Sequence, residues 1–202
     1  MTKYVYDFHE GNKDMKDLLG GKGANLAEMT NMGLPVPHGF TISTEACLAY
    51  LDAGGFPDGL ADEVETHVQT LESSMSKRLG DPSDPLLVSV RSGAKFSMPG
   101  MMDTVLNLGL NEESLKGLAE QSGGDVRFAQ DAYRRFIQMF GKIVMDVPGE
   151  AFEEALDRAK AAKGENASDT DLDVDDLRAV TGEFLEIYER QTGSAAVSPL
   201  SM

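Results

Sequence analysis

Residues 86–110 read LLVSVRSGAKFSMPGMMDTVLNLGL, a short apolar run followed by glycines, hydroxyl residues and methionines. The run Leu86–Val90 has the length and aliphatic content of a β-strand, and Arg91 stands where it meets Ser92 and Gly93. An arginine at the end of a strand presents a rigid fork of donors that suits phosphate or carboxylate oxygens. Small residues beside it allow a ligand to approach the backbone closely. The stretch therefore predicts an anion site at the end of a strand.

Composition limits the classes of partner. The chain has 202 residues, of which 41% are hydrophobic, and a formal net charge of −16. Such a charge argues against a nucleic acid or an anionic membrane as the partner, because both require a basic surface. No apolar run is long enough to span a membrane and no leader segment is recognisable, so we expect a cytoplasmic protein. The one cysteine, Cys47, is predicted to be a small buried residue without metal ligands around it.

A second stretch, residues 18–26, reads LLGGKGANL and precedes a helical pattern that ends near Gly33. A glycine-rich loop that opens a helix presents backbone N–H groups and the positive end of the helix dipole, which favour an anion, and Lys22 adds a charge. The stretch lacks the nucleotide-binding form GxxxxGK[ST], because residue 16 is Lys and residue 23 is Gly. Taken alone, it fits a tight turn with a solvated lysine better than a ligand site.

The order of elements predicts an α+β protein. Up to Leu110 strands and helices alternate, whereas the rest of the chain is predicted to be helical. We therefore expect one domain at residues 1–110 and a second, helical one at residues 111–190. The predicted strands are residues 4–8, 36–42 and 86–90. One predicted helix follows the glycine stretch, and two others span about residues 44–53 and 60–79. Four more helices are expected to begin near Asn111, Asp125, Pro148 and Asp173.

Three other features are interpreted as structural. A lone histidine in a helix, such as His67, is more often a surface or hydrogen-bonded residue than a catalyst. The acidic run SDTDLDVDDL at residues 168–177 is predicted to be a solvated loop and helix cap, because it lacks the glycine and glutamate of a calcium-binding loop. Adjacent Arg134 and Arg135 diverge on a helix, so at most one is expected to face a ligand, and solvent is the preferred surrounding for both. No metal ligands are assigned.

Three long segments together resemble one family. VSVRSGAKFSMPGMMDTVLNLGL, LLGGKGANLAEMTNMGLPVPHGFTIST and YRRFIQMFGKIVMDVP are similar to the N-terminal end of pyruvate, phosphate dikinases, and the resemblance covers about residues 3–190. Phosphoenolpyruvate synthases share the VRS arginine and the GGKGANL type of loop, but they usually differ where this chain has SMPGMMDT. The resemblance therefore points to the dikinases.

The resemblance implies a fold and a reaction. Dikinases of this kind convert ATP, phosphate and pyruvate into AMP, pyrophosphate and phosphoenolpyruvate, with a phosphohistidine carrier on a swivelling domain. It implies a partial ATP-grasp-like nucleotide-binding subdomain followed by a small α-helical insert. Lys22 and Arg91 are expected to contact the ATP phosphates, which favours the ligand interpretation of the glycine stretch. The nucleotide-binding residues implied by the resemblance are Gly20, Gly21, Lys22, Gly23, Arg91, Ser92, Ser97, Met98, Met101 and Thr104.

The chain also departs from the family pattern. Residues 191–202 form a divergent C-terminal tail, and the acidic Mg²⁺ ligands, the phosphohistidine segment and the pyruvate-binding barrel of the family are absent from this sequence. We therefore expect ATP as the ligand, Mg²⁺ only through the missing part, and no complete catalysis by this chain alone. The remaining dikinase domains or a full-length homologue are expected partners. A non-catalytic nucleotide- or partner-binding module and an inactive remnant remain as alternatives.

Overall fold

The structure of the chain is a computed structural model that describes residues 2–93 and 103–193. The chain forms two compact units. The first runs to Ser76 and takes in Arg91, Ser92, Gly93 and Asp103, and the second comprises Lys77–Val90 and the residues from Thr104 onward. No helix in the described ranges is long and apolar enough to cross a membrane.

The first unit packs three helices around a two-stranded antiparallel sheet. Strand β1 (Val5–Asp7) pairs with β2 (Phe40–Ile42), with Val5 opposite Ile42 and Asp7 opposite Phe40. A 3₁₀ turn over Phe8–Glu10 follows β1, and the small core is centred on Val5, Ala46 and Leu60. The helices are α1 (Lys16–Asn31), α2 (Thr44–Ala53) and α3 (Leu60–Met75).

The second unit is mainly helical. Its larger core forms around α5, whose apolar side chains, Phe136 among them, pack against those of α7, such as Phe184. Strand β3 (Arg78–Leu79) runs parallel to β4 (Pro85–Leu86), and β5 (Val88–Arg91) pairs with β6 (Thr104–Leu108). The helices are α4 (Ser114–Gln121), α5 (Val126–Ile143), α6 (Gly149–Lys163) and α7 (Val174–Thr192).

Two helix starts predicted from capping residues are confirmed, whereas α4 begins at Ser114, three residues after the predicted cap Asn111. The Asp125 side chain accepts the Phe128 N–H at 2.8 Å at the start of α5, and Asp173 accepts from the backbone at the start of α7. Pro148 lies directly before α6. The mixture of helices with small sheets confirms the α+β class, whereas the ATP-grasp relationship and a domain boundary at residue 110 stay predictions.

Several element boundaries differ from the predictions. Helix α3 ends at Met75, because Ser76 adopts a left-handed φ of 53°, and Arg78–Leu79 form β3 instead of continuing the helix. The predicted strand at 36–42 is restricted to Phe40–Ile42, and the apolar run at 86–90 is interrupted at Leu87. Strand β6, which pairs with the strand ending in Arg91, was not predicted.

Two side chains lie in the opposite surroundings from those predicted. Arg134 is buried with 2% exposure, because Asp131, Gln138 and Asp169 accept hydrogen bonds from its guanidinium at 2.7–3.3 Å. These hydrogen bonds compensate the guanidinium for the water that it loses on burial. Cys47 is exposed on α2, since the neighbouring Ala46 is the residue that this helix buries.

Candidate functional site

The glycine stretch interrupts α1 at a single residue. Gly20 has φ 68° and ψ 170°, a backbone conformation that glycine adopts far more readily than other residues. The helix resumes directly afterwards, so the predicted glycine-rich opening of a helix is confirmed. The prediction of a loop is wrong for Leu18 and Leu19, which belong to a helical turn that begins at Lys16, before the break.

The glycines of this stretch have different surroundings. Gly23 is buried, and a Cβ atom there would lie 2.9 Å from Thr41 Cγ2 and Oγ1 on β2. Gly23 is therefore required for the close approach of α1 to the sheet, independently of any ligand. Gly21 and Lys22, by contrast, are partly exposed, as a residue that contacts a ligand must be.

The two stretches singled out in the sequence meet at Lys22. Its Nζ atom donates to the main-chain oxygen of Ser92 at 3.4 Å, although 70 residues separate the two along the chain. Ser92 directly follows Arg91, the last residue of β5, and both are exposed. The fold thus places the Lys22 ammonium beside the end of the strand that carries the predicted anion-binding arginine.

Ser92 also joins the two ends of the segment that follows it. Its N–H donates to the Asp103 oxygen at 3.1 Å, and the Asp103 N–H donates to Ser92 Oγ at 2.9 Å. These bonds hold the chain at Ser92 and Asp103 side by side. The Ser92 hydroxyl therefore has a defined structural role beside its predicted ligand contact.

The remaining predicted site residues are not brought together with Lys22 by any described contact. Ser97, Met98 and Met101 lie outside the residues that the structure describes. Thr104 is the first residue of β6 and belongs to the second unit. For these four residues, a role in nucleotide binding stays a prediction.

The charge of Lys22 suits an anion. In the described part of the chain, its Nζ contacts a neutral carbonyl oxygen and forms no ion pair with a carboxylate. Other lysines of the first unit are paired differently: Lys3 contacts Glu10, and Lys13 lies 3.7 Å from Glu28. An ammonium that is not neutralised by a carboxylate can bind a phosphate without first breaking an ion pair.

Sequence reasoning missed a second group of polar side chains that the fold brings together. Asp7, Glu10 and His67 place ligand atoms within 4.8 Å of one another, and His67 Nδ1 lies 2.7 Å from Asp7 Oδ1. The prediction that His67 is a hydrogen-bonded residue is confirmed. No local pattern could have paired it with Asp7, because 60 residues separate them and only the packing of α3 on β1 brings them together.

Comparison with known proteins gives consistent matches. The family model described as "Pyruvate phosphate dikinase, AMP/ATP-binding domain" matches residues 16–73, a range that contains Lys22. Pyruvate, phosphate dikinase 1 of Oryza sativa is 58% identical over 185 residues, covering 91% of this chain and 19% of that protein. Pyruvate, phosphate dikinase of Clostridium symbiosum is 51% identical over 190 residues, covering 94% and 22%.

The chain spans about a fifth of the length of these relatives. Identity above one half over nine tenths of this chain is far beyond what a short shared motif could give. The chain is therefore related to the pyruvate, phosphate dikinases, and what it matches is their N-terminal ATP-binding part.

Proposed function

We propose that this chain is the ATP-binding portion of a pyruvate, phosphate dikinase and that Lys22 and Arg91 bind the phosphates of the nucleotide. The observation that carries the proposal is the contact of Lys22 Nζ with the Ser92 oxygen, next to Arg91. It brings a lysine from the start of a helix and an arginine from the end of a strand into one region. The matching family is described as AMP/ATP-binding, which supports a nucleotide as the anion.

The two side chains suit different parts of a triphosphate. The ammonium of Lys22 is a compact charge that one phosphate oxygen can approach, while the guanidinium of Arg91 can bind two oxygens at once. Phosphoryl transfer depends mostly on positioning and on neutralising the charge of the phosphates. Two cations from separate segments therefore give both affinity and orientation, without either residue taking part in covalent chemistry.

The full reaction requires more than this chain. In the proposed role, ATP, phosphate and pyruvate are converted to AMP, pyrophosphate and phosphoenolpyruvate by the complete enzyme, of which this chain supplies the nucleotide-binding part in an ATP-grasp-like fold. The part of the complete enzyme that this chain does not match, about four fifths of its length, is expected to supply the acidic ligands of the Mg²⁺ that accompanies the phosphates. They are also expected to supply the histidine carrier and the pyruvate site, so the remaining dikinase domains are the proposed partners.

Calorimetric titration with ATP, with and without Mg²⁺, tests the proposal on Lys22→Ala and Arg91→Ala. A charge-assisted hydrogen bond contributes about 1.5–3 kcal/mol, so each variant should bind ATP about 10- to 150-fold more weakly. Lys13→Ala, an exposed lysine in the same unit, is the matched control and should bind normally. If Lys22 and Arg91 contact the outer phosphates, AMP binding should change much less.

Two results would contradict the proposal. Unchanged ATP affinity in both Lys22→Ala and Arg91→Ala would reject the assigned site while leaving nucleotide binding intact. An absence of heat at millimolar ATP in the unsubstituted chain would reject nucleotide binding altogether and favour an inactive remnant.

A further inference from the structure

Three side chains of the types that bind metals converge in the first unit, away from the sequence positions assigned to ATP. Asp7 ends β1, Glu10 lies in the 3₁₀ turn, and His67 comes from the middle of α3. Their ligand atoms all lie within 4.8 Å of one another. We propose that Asp7, Glu10 and His67 bind a divalent transition-metal cation of the zinc or manganese type.

The group is held in place by contacts outside the three side chains. The 3₁₀ turn fixes Glu10, whose Oε2 accepts the Asp7 N–H at 2.9 Å. The His67 ring packs against Phe40 with 5.6 Å between ring centroids. The side chains of His67 and Asp7 are 15% and 20% exposed, so they are partly shielded and still reachable from solvent. This arrangement leaves an entry path for an ion while limiting the motion of its ligands.

The distances require only small adjustments. Bonds of about 2.1 Å to nitrogen and oxygen place neighbouring ligand atoms about 3–3.5 Å apart around a metal. His67 Nδ1 and Asp7 Oδ1 are 2.7 Å apart and would separate slightly, while Glu10 would rotate inward. Because three protein ligands leave coordination positions for water, the geometry corresponds to an open site.

The ligand set selects the kind of metal. Imidazole nitrogen suits Zn²⁺, Fe²⁺ and Ni²⁺, and carboxylate oxygens suit Mn²⁺ as well. Mg²⁺ and Ca²⁺ prefer oxygen ligands throughout, so a site that includes His67 should bind them weakly. The proposed ion is therefore different from the Mg²⁺ that accompanies ATP.

Lys3 is the internal competitor for this site. Its Nζ atom forms an ion pair with Glu10 and lies 4.8 Å from the centroid of the Tyr6 ring. The ammonium of Lys3 thus occupies the place beside Glu10 that a metal ion would need. A metal ion would take that place and release Lys3.

This competition provides a sharp test by calorimetric titration of the full chain with Zn²⁺, Mn²⁺ and Mg²⁺ in the absence of nucleotide. We expect Zn²⁺ and Mn²⁺ to bind and Mg²⁺ not to bind. His67→Gln and Glu10→Gln should each weaken Zn²⁺ binding at least about tenfold, because even the loss of a residue that only orients a metal ligand costs about 10- to 100-fold. Lys3→Met should strengthen it severalfold, because the competing ammonium is removed.

Two matched variants control for other Zn²⁺ ligands. His38 is an exposed histidine of the same unit, and Cys47 is an exposed thiol, so His38→Gln and Cys47→Ser should both leave the affinity unchanged. If His67→Gln fails to fold, as judged by circular dichroism, Glu10→Gln still tests the site, because Glu10 is exposed.

The proposal is overturned by any of three results. These are no Zn²⁺ or Mn²⁺ binding below millimolar concentration, loss of binding in His38→Gln or Cys47→Ser, and no gain in affinity in Lys3→Met. A purely structural role for the three side chains predicts that last result, since loosening the turn would not improve metal binding.

Discussion

The substitution Gly23→Ala tests whether Gly23 is needed for the packing of the fold, independently of a bound nucleotide. An added Cβ would lie 2.9 Å from two side-chain atoms of Thr41 and 3.2 Å from Leu19 Cβ. Ordinary van der Waals contact begins at 3.4 Å, so the Thr41 side chain, α1 or β2 must shift. We therefore expect this substitution to destabilise the first unit even in the absence of ATP.

Two opposing contributions set the change in the free energy of unfolding that Gly23→Ala causes. Replacing glycine by alanine inside a helix stabilises by about 1 kcal/mol, because the unfolded backbone loses less entropy on folding. Overpacking by one methyl group destabilises by about 1–3 kcal/mol. The net change at Gly23 is therefore a loss of roughly 0–2 kcal/mol. At Gly182, on α7, an added Cβ meets nothing within 4 Å, so the same substitution should show the gain of about 1 kcal/mol alone.

The two variants are compared by urea unfolding followed by far-UV circular dichroism, each in the transition of its own unit. Their free energies of unfolding should differ by about 1–3 kcal/mol in the stated direction. The double variant Gly23→Ala with Thr41→Ala should recover part of the loss, because the atoms that the new methyl group meets are removed. Equal stabilisation at both glycines, or strict additivity with Thr41→Ala, would refute the packing explanation for Gly23.

Three further predictions concern the second unit. Arg134→Met should destabilise it by about 1.5–3 kcal/mol in urea unfolding, because the charge-assisted hydrogen bonds of the buried guanidinium are lost, while Asp131 keeps its contact with Arg135 at 2.9 Å. The hydrogen bond from Lys163, aided by backbone N–H groups, lowers the pKa of Asp173 from 3.8 to about 2. Since the folded-state pKa is the lower one, the stability advantage over Asp173→Asn should be present above about pH 4 and disappear as pH falls toward 2. Gly117→Ala should destabilise α4 more than Gly23→Ala destabilises α1, because the added Cβ would meet backbone oxygens at 2.4–2.6 Å. Thermal unfolding of the two variants can verify this order.

Local signals in the sequence predicted local structure well. The caps at Asp125 and Asp173 and the proline before α6 act on neighbouring backbone groups, so their effect can be recognised without knowing the fold. Side-chain surroundings depend on distant residues and were predicted less well. Arg134 is buried because Asp169, 35 residues away, completes its hydrogen bonds, and nothing near Arg134 in the sequence indicates that partner.

The same distinction applies to the candidate site. The chemical character of Lys22 and Arg91 was evident from glycines beside a lysine and from an arginine that ends a strand. That both bind one ligand is a prediction from the family resemblance, and the structure shows that Lys22 contacts Ser92, the residue after Arg91. The structural requirement for Gly23 could not be predicted, because it depends on the position of Thr41 across the helix–sheet contact.

The charge distribution limits the residues that could bind a phosphate in the first unit. From residue 23 to residue 76 the chain contains eight acidic residues and neither lysine nor arginine, so Lys22 lies at the edge of a strongly acidic segment. Beyond a Debye length of about 8–10 Å such charges are screened by salt, whereas contacts at hydrogen-bond distance are not. An anionic ligand therefore gains no general attraction from this protein. Its affinity must come from the groups that it touches directly, so in the proposed site neutralising Lys22 or Arg91 should remove a large part of it.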